Sequence, residues 1–187
     1  NSAGAVGDFP LTDLQEALDI FETNLGNNPE VSFIKELLEK SYRKAENLSE
    51  ATFKLVDQLF GSYGLIVLEP NQKDLKSLFS PIIKDELTNA SSFKSVSDQI
   101  NLIKTNYNKK YTPQVNPREI NLFYLTPQGR HLIKKSKNGF SLIGSELNFT
   151  EDTFFKILKK YPERFSPNVI LRPLYQEIIL PNLHYIG

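Results

Sequence analysis

Residues 165–177 place hydrogen-bonding side chains among apolar ones. The polar residues in this segment are Asn168, Arg172, Gln176 and Glu177. Arginine offers a planar fork of donors to a carboxylate or phosphate. Arg172 and Gln176 are four residues apart, so a helix would place them on one face. A structural Arg172–Glu177 pair that holds a loop explains the same residues. From the residues alone, a binding site and a structural pair are equally good interpretations.

The other residues that could take part in catalysis or binding do not form a recognisable site. The sequence has no Walker loop and no GxGxxG, GxSxG or HExxH motif. Its two histidines, His131 and His184, have no ligand-type neighbours in sequence, so we interpret them as strand residues and expect no metal site. Three lysine pairs, at 109–110, 134–135 and 159–160, lie in a neutral protein and are interpreted as solvated surface.

The composition is that of a globular protein without charge bias. Lys+Arg and Asp+Glu number 22 each, so the formal net charge is zero. Nucleic-acid binding needs a basic excess and membrane-surface binding a basic amphipathic face, so neither partner is expected. No apolar run approaches the roughly 20 residues that span a bilayer. The lack of cysteine excludes a thiolate nucleophile and disulfides, and it fits a cytoplasmic protein.

Helices are predicted wherever apolar residues recur at helical spacing. These stretches are residues 11–25, 31–45, 49–61, 71–87, 92–107 and 151–160. Ser49 and Thr150 are the predicted N-caps of the third and sixth helices. Pro81 should mark a kink or a fresh start within the fourth.

Strands are predicted in the second half of the chain and at one earlier point. Residues 65–68 form a short continuous apolar run, which predicts a central strand of a parallel sheet. Residues 121–143 alternate apolar segments with turn residues, and Asn138-Gly139 is a strong hairpin signal, so an antiparallel meander of about three strands is predicted there. We therefore predict an α/β protein in three segments: 1–110, 111–148 and 149–187.

Segments along nearly the whole chain, in the same order, resemble one enzyme family. They are Gly4–Phe9, Leu59–Pro70 with Leu75-Lys76, Asn121–Phe123 with Arg130, and Ser-Pro-Asn-Val-Ile-Leu-Arg-Pro-Leu-Tyr-Gln-Glu-Ile-Ile-Leu-Pro-Asn-Leu-His-Tyr-Ile-Gly at 166–187. The family is that of the bacillithiol biosynthesis cysteine-adding enzymes (BshC), and the last segment is similar to its signature. His184 departs from the pattern, since a small residue is expected there.

The resemblance implies a fold related to class I aminoacyl-tRNA synthetases, particularly those for cysteine. The fold class becomes a partial Rossmann-like core with N-terminal amphipathic helices and an inserted antiparallel β meander, which resembles a connecting domain. Full members also have a coiled coil, are more than twice this length, and could form homodimers. The chain lacks methionine and both its ends look cut, so we expect an internal fragment that is inactive alone.

The implied activity is the last step of bacillithiol synthesis, in which L-cysteine is added to glucosaminyl-malate. A carboxylate is a poor acyl donor, so ATP or another nucleotide is expected to activate it. Arg172 would be the cationic fork, while Glu177 would bind an ammonium group or hold Arg172. The implied substrate-binding residues are Asn168, Arg172, Gln176, Glu177, Tyr185 and Gly187. No catalytic residue is identified.

Two other functions stay open. The chain could be a non-catalytic binding or dimerisation module of such an enzyme, which an exposed apolar patch would favour. It could also belong to a different amino-acid ligase on the same scaffold, because no residue that distinguishes malate from another acid is recognisable in the sequence.

Overall fold

A computed structural model describes residues 7, 10–11, 14–26, 29–181 and 184. The chain divides into two compact units, each described by itself below. The first comprises Asn1–Pro70 with Pro127–Gly129, and the second comprises Asn71–Thr126 with Arg130–Gly187. The three-segment division expected from the sequence stays a prediction. Among the described residues, no helix has the length and apolar character needed to cross a membrane.

The described residues of the first unit form three α-helices, as predicted. They are α1 (Leu14–Asn24), α2 (Pro29–Leu38, which continues as a π-helical turn over Glu39–Arg43) and α3 (Leu48–Phe60, followed by a 3-10 turn at Gly61–Tyr63). Leu11, Leu18, Val31 and Ala51 are its buried apolar residues. Only part of the predicted apolar stripes is therefore buried, since Phe21, Phe53 and Phe60 on these helices are exposed.

The N-cap of α3 is Asn47, so the prediction of Ser49 was wrong. The Asn47 side chain accepts a hydrogen bond from the Glu50 N–H at 2.9 Å, and Glu50 Oε2 accepts one from the Glu46 N–H at 2.8 Å. This reciprocal arrangement satisfies two free amides at once, which starts the helix before Ser49. Ser49 instead donates its hydroxyl to Glu69.

The predicted parallel strand at Leu65–Leu68 is also wrong. These residues follow the 3-10 turn without regular secondary structure, and the Ile66 side chain is 72% exposed. A continuous apolar run forms a buried strand only where neighbouring strands bond its backbone groups. Among the described residues of this unit, the β pairing is limited to an isolated bridge between Pro10 and Asn47. The run therefore presents apolar side chains to solvent.

The second unit packs helices against one antiparallel sheet. In chain order its elements are α4 (Lys73–Asn89), α5 (Ser91–Asn106), β1 (Leu122–Thr126), β2 (Gly129–Ser136), β3 (Gly139–Ile143), β4 (Asn148–Thr150), α6 (Glu151–Lys160), a 3-10 turn (Pro162–Arg164), β5 (Phe165–Pro167) and α7 (Arg172–Ile179). The strand order is β4-β3-β2-β1-β5. The predicted meander is confirmed as β1, β2 and β3, while β4 and β5 were not predicted.

Local sequence explains most of these boundaries. Thr150 caps α6 as predicted, since its hydroxyl accepts from the Thr153 N–H. The hairpin between β2 and β3 turns at Lys137 and Asn138, with Ser136 opposite Gly139. Helix α4 runs through Pro81 as one helix, so no fresh start occurs there. Its buried face, with Phe79 and Ile83, belongs to the same core as Phe140, Phe154 and Phe165.

Gly139→Ala is expected to destabilise the second unit strongly. Gly139 has a φ of +143°, and an added Cβ would lie 2.2 Å from the Phe149 carbonyl oxygen. Backbone strain of this kind costs about 1–3 kcal/mol, and overpacking costs typically about 1–3 kcal/mol more. Chemical denaturation should show the loss. The matched control is Gly129→Ala, because Gly129 has a φ of +145° and open space around it. Equal losses for the two variants would contradict the steric argument.

Candidate functional site

A tight turn before α7 presents the predicted arginine. The Asn168 side-chain oxygen accepts hydrogen bonds from the Ile170 N–H at 2.9 Å and the Leu171 N–H at 3.3 Å. The Asn168 carbonyl accepts from the Arg172 N–H at 2.9 Å. Asparagine favours such turns because its short amide can bind the backbone just ahead of it. Pro173 then suits the first turn of a helix, so α7 begins at Arg172.

Asn168 is itself held in place by hydrogen bonds to Asn121. It is buried, its Nδ2 donates to Asn121 Oδ1 at 2.9 Å, and its N–H donates to the Asn121 carbonyl at 3.0 Å. We predicted Asn168 as a substrate-binding residue. Its side-chain oxygen is occupied by the turn and its amide nitrogen is bound to Asn121, so its place is beneath Arg172, where it orients the turn.

Asn121 is held in turn by a buried carboxylate. Glu86 on α4 is 1% exposed. Its Oε1 accepts from the Asn121 N–H at 2.8 Å, from Asn121 Nδ2 at 3.2 Å and from the Ser92 hydroxyl at 2.6 Å, while Oε2 accepts from the Ser92 N–H at 3.1 Å. Hydrogen bonds of this kind are what makes a buried carboxylate tolerable. A continuous network thus runs from Glu86 through Asn121 and Asn168 to Arg172.

The remaining predicted residues lie on α7 or outside the described residues. Arg172, Gln176 and Glu177 are all exposed, and Gln176 lies one turn after Arg172. None of the ion pairs found between described residues involves Arg172. Tyr185 and Gly187 lie outside the described residues. Arg172 and Gln176 therefore lie one turn apart on α7, and their role in binding stays a prediction.

A second arginine, which the sequence analysis did not place in the site, lies near Arg172. The guanidinium of Arg130 on β2 stacks on Phe123 with 3.8 Å to the ring centroid, and its Nη2 donates to the Pro167 carbonyl at 3.3 Å. The pKa of Arg130 is lowered, first by partial burial of the guanidinium and then by the positive charge of Arg172. Arg130 and Arg172 are thus within electrostatic reach of each other.

The opposite side of α7 is fixed to the core. Tyr175 is buried, and its ring lies 5.0 Å from that of Phe79 on α4. Lys76 is also buried, and its Nζ donates to the Phe165 carbonyl at 2.8 Å while lying 5.1 Å from the Tyr175 ring centroid. Strand β5 and helix α7 are therefore both tied to α4, which makes the intervening turn a firm support for Arg172.

Other features of this unit are separate from the turn. His131 is bonded through its two ring nitrogens to the Thr126 hydroxyl and the Ile143 carbonyl. Within the described ranges, no three His, Cys, Asp or Glu residues are grouped so as to hold a metal. A cavity of about 460 Å³ lies at the α4–α5 junction, lined by Ala90, Phe93 and Lys135 among others. Its lining includes none of the predicted site residues.

Comparison with known proteins identifies a family over the whole chain. Residues 1–187 match the family described as "Bacillithiol biosynthesis BshC, N-terminal Rossmann-like domain". The Rossmann-like description agrees with the fold class predicted from the sequence.

Curated relatives carry the name "Putative cysteine ligase BshC". Those of Flavobacterium johnsoniae and Flavobacterium psychrophilum are 43% and 42% identical over 186 residues, which is 100% of this chain and 34% of each relative. That of Christiangramia forsetii is 40% identical over 183 residues, or 98% of this chain and 34% of the relative. The chain thus spans about a third of the length of the curated relatives it matches.

Proposed function

Because the chain belongs to the BshC family of bacillithiol biosynthesis, we propose that it is part of a ligase that adds L-cysteine to glucosaminyl-malate in the last step of that pathway. The names of the relatives support a ligase. The amide-forming reaction, the two substrates and a cytoplasmic location are the finer parts of the proposal. So is the expectation that residues 1–187 alone are inactive.

The observation that carries the proposal is the exposed Arg172 on a rigid turn. A guanidinium that only held a loop would be expected to be buried against a carboxylate or carbonyls. Arg172 is instead exposed, and its position is fixed through its backbone by Asn168 and Asn121. An exposed guanidinium whose backbone is fixed in this way is open to a ligand and can bind the charged oxygens of a carboxylate or phosphate.

The proposed reaction joins the glucosamine nitrogen to the cysteine carboxyl carbon. One carboxylate oxygen must leave, and activation by a nucleotide such as ATP would let it leave with a phosphoryl group. Arg172 would hold a charged oxygen of a substrate, and Gln176, one turn further along α7, would bind a neighbouring polar group. Asn168 would act by positioning Arg172. Glu177, exposed on the same helix, would bind an ammonium group.

A binding or dimerisation module is the second candidate function, and one observation favours it. In the first unit three large apolar side chains close together in sequence are exposed, those of Tyr63, Leu65 and Ile66. Contiguous apolar surface of this kind is typical of protein interfaces. A homodimer of the full-length protein is the corresponding expectation.

The decisive test is an assay of the full-length protein that contains this chain. We expect it to convert L-cysteine, glucosaminyl-malate and ATP to bacillithiol, detected by mass spectrometry, and to form none when any one substrate is omitted. Heat-treated enzyme is the control. Residues 1–187 expressed alone should form no product. Faster turnover with an amino acid other than cysteine would contradict the proposed substrate while leaving a ligase in place.

A further inference from the structure

Two arginines are bonded to adjacent points of the backbone at the start of α7, Arg130 through its guanidinium and Arg172 through its main-chain N–H. Arg130 donates to the carbonyl of Pro167 and stacks on Phe123. Arg172 donates its N–H to the carbonyl of Asn168, the next residue along the chain. One short stretch of main chain, itself bonded to Asn121, therefore sets the position of the Arg130 guanidinium and of the Arg172 backbone.

This arrangement places like charges together without a protein counter-ion in the described ranges. The ion pairs found there involve neither Arg130 nor Arg172. The positive charge of Arg172 contributes to the lowered pKa of Arg130, so the two charges repel each other. The positive end of the α7 dipole lies at the same place and adds to the unfavourable potential. An anion bound beside the two arginines would relieve this repulsion.

We propose that Arg130 and Arg172 together bind a doubly charged oxyanion, either a dicarboxylate or a phosphate group of a substrate. Each guanidinium presents parallel N–H donors that match the two oxygens of a carboxylate or two oxygens of a phosphate. The stack on Phe123 fixes the plane of Arg130 and so fixes the direction in which its unused donors point. Arg130 thus becomes a second binding residue beside Arg172.

The identity of the anion rests on the proposed function. Among the proposed substrates, glucosaminyl-malate carries two carboxylates in its malate group, and the nucleotide carries phosphates. Cysteine carries a single carboxylate, which one arginine would satisfy. The pair is therefore a determinant for the malate group or for the nucleotide, and the experiment separates the two.

The first arm of the experiment measures Arg130→Gln in the full-length enzyme. We expect the KM of one anionic substrate, glucosaminyl-malate or ATP, to rise roughly 10- to 100-fold, as for loss of a charge-assisted hydrogen-bonding partner. The KM of cysteine and the kcat should change less than about threefold, because the interaction serves binding. The matched control is Lys137→Gln, which removes an exposed cation from the β2–β3 turn of the same sheet.

The second arm does not depend on turnover. Isothermal titration of the full-length protein with L-malate and with inorganic phosphate should show binding of one of them. Arg130→Gln should weaken that binding by the same factor, and Lys137→Gln should not. If the wild-type enzyme forms no bacillithiol yet binds the anion through Arg130, the proposed function fails and the anion site stands.

Three results would overturn the inference while leaving the proposed function intact. One is an active wild-type enzyme that binds neither L-malate nor phosphate in the titration. Another is an Arg130→Gln enzyme whose KM values match those of Lys137→Gln. The third is a uniform rise in all KM values together with a lowered melting temperature, which would make Arg130 a structural support of the Pro167 carbonyl.

Discussion

Arg172→Lys is expected to lower the kcat/KM of the full-length enzyme about 10- to 100-fold without changing its melting temperature. Lysine keeps the charge but loses the planar fork, so one of two parallel hydrogen bonds to the substrate is lost. Hydrogen bonds to charged groups contribute about 1.5–3 kcal/mol, and about 1.4 kcal/mol corresponds to a factor of ten. The side chain is exposed, so its replacement should alter the free energy of unfolding by less than about 0.5 kcal/mol.

Arg118→Lys is the matched control for this experiment. Arg118 is exposed in the same unit, and its contacts with Asn121 are made by its main chain, which the substitution leaves unchanged. A fully active Arg172→Lys enzyme would remove Arg172 from the binding site. Normal activity combined with a lowered melting temperature would make it a structural residue instead.

Glu86→Ala is expected to destabilise the protein by about 3 kcal/mol or more, since each buried polar group left without a partner costs about 1–3 kcal/mol. The substitution removes the acceptors of the Asn121 N–H, of the Ser92 N–H and of the Ser92 hydroxyl. Urea denaturation should show the loss. Hydrogen exchange offers a local measurement, because the Asn121 and Ser92 amides should exchange much faster in the variant.

Two further variants make this test specific. Thr88→Ala lies on the same helix at an exposed position, where its hydroxyl bonds only the Lys84 carbonyl of the preceding turn, and it should change stability little. Glu86→Gln should lose more stability than Thr88→Ala and less than Glu86→Ala. The amide nitrogen of the glutamine would face a hydrogen-bond donor where a carboxylate oxygen now accepts. If Glu86→Ala unfolded at the same urea concentration as Thr88→Ala, the network would not be supporting the turn before α7.

The sequence predicted those parts of the fold that depend on neighbouring residues. Helices α1 to α6 follow from apolar spacing, whereas α7 was not predicted in this way, and the β2–β3 hairpin forms where Asn138-Gly139 signalled it. The prediction of a strand at Leu65–Leu68 was wrong for the converse reason. An apolar run has the composition of a strand, but whether it becomes one depends on partners that local sequence does not reveal.

The candidate site shows the same division between local and distant information. Arg172 and Gln176 could be paired from their spacing alone, because α7 is a local structure. Arg130 could not be assigned to the site from the sequence. Only the pairing of β1 with β5 and β2 brings it to the Pro167 carbonyl. The role of Glu86 could not be predicted for another reason. No sequence motif surrounds it on its helix, and only its burial in the structure identifies it.

The hydrogen bonds beneath Arg172 also bear on how the chain folds. The three that fix the turn and its strand join residues 35, 47 and 89 positions apart, namely Glu86 with Asn121, Asn121 with Asn168, and Lys76 with Phe165. Long loops must close before such contacts form, and their entropy slows folding. During synthesis α4 leaves the ribosome long before its partners. We therefore expect the turn that carries Arg172 to become ordered late in folding, after the helices that support it have formed.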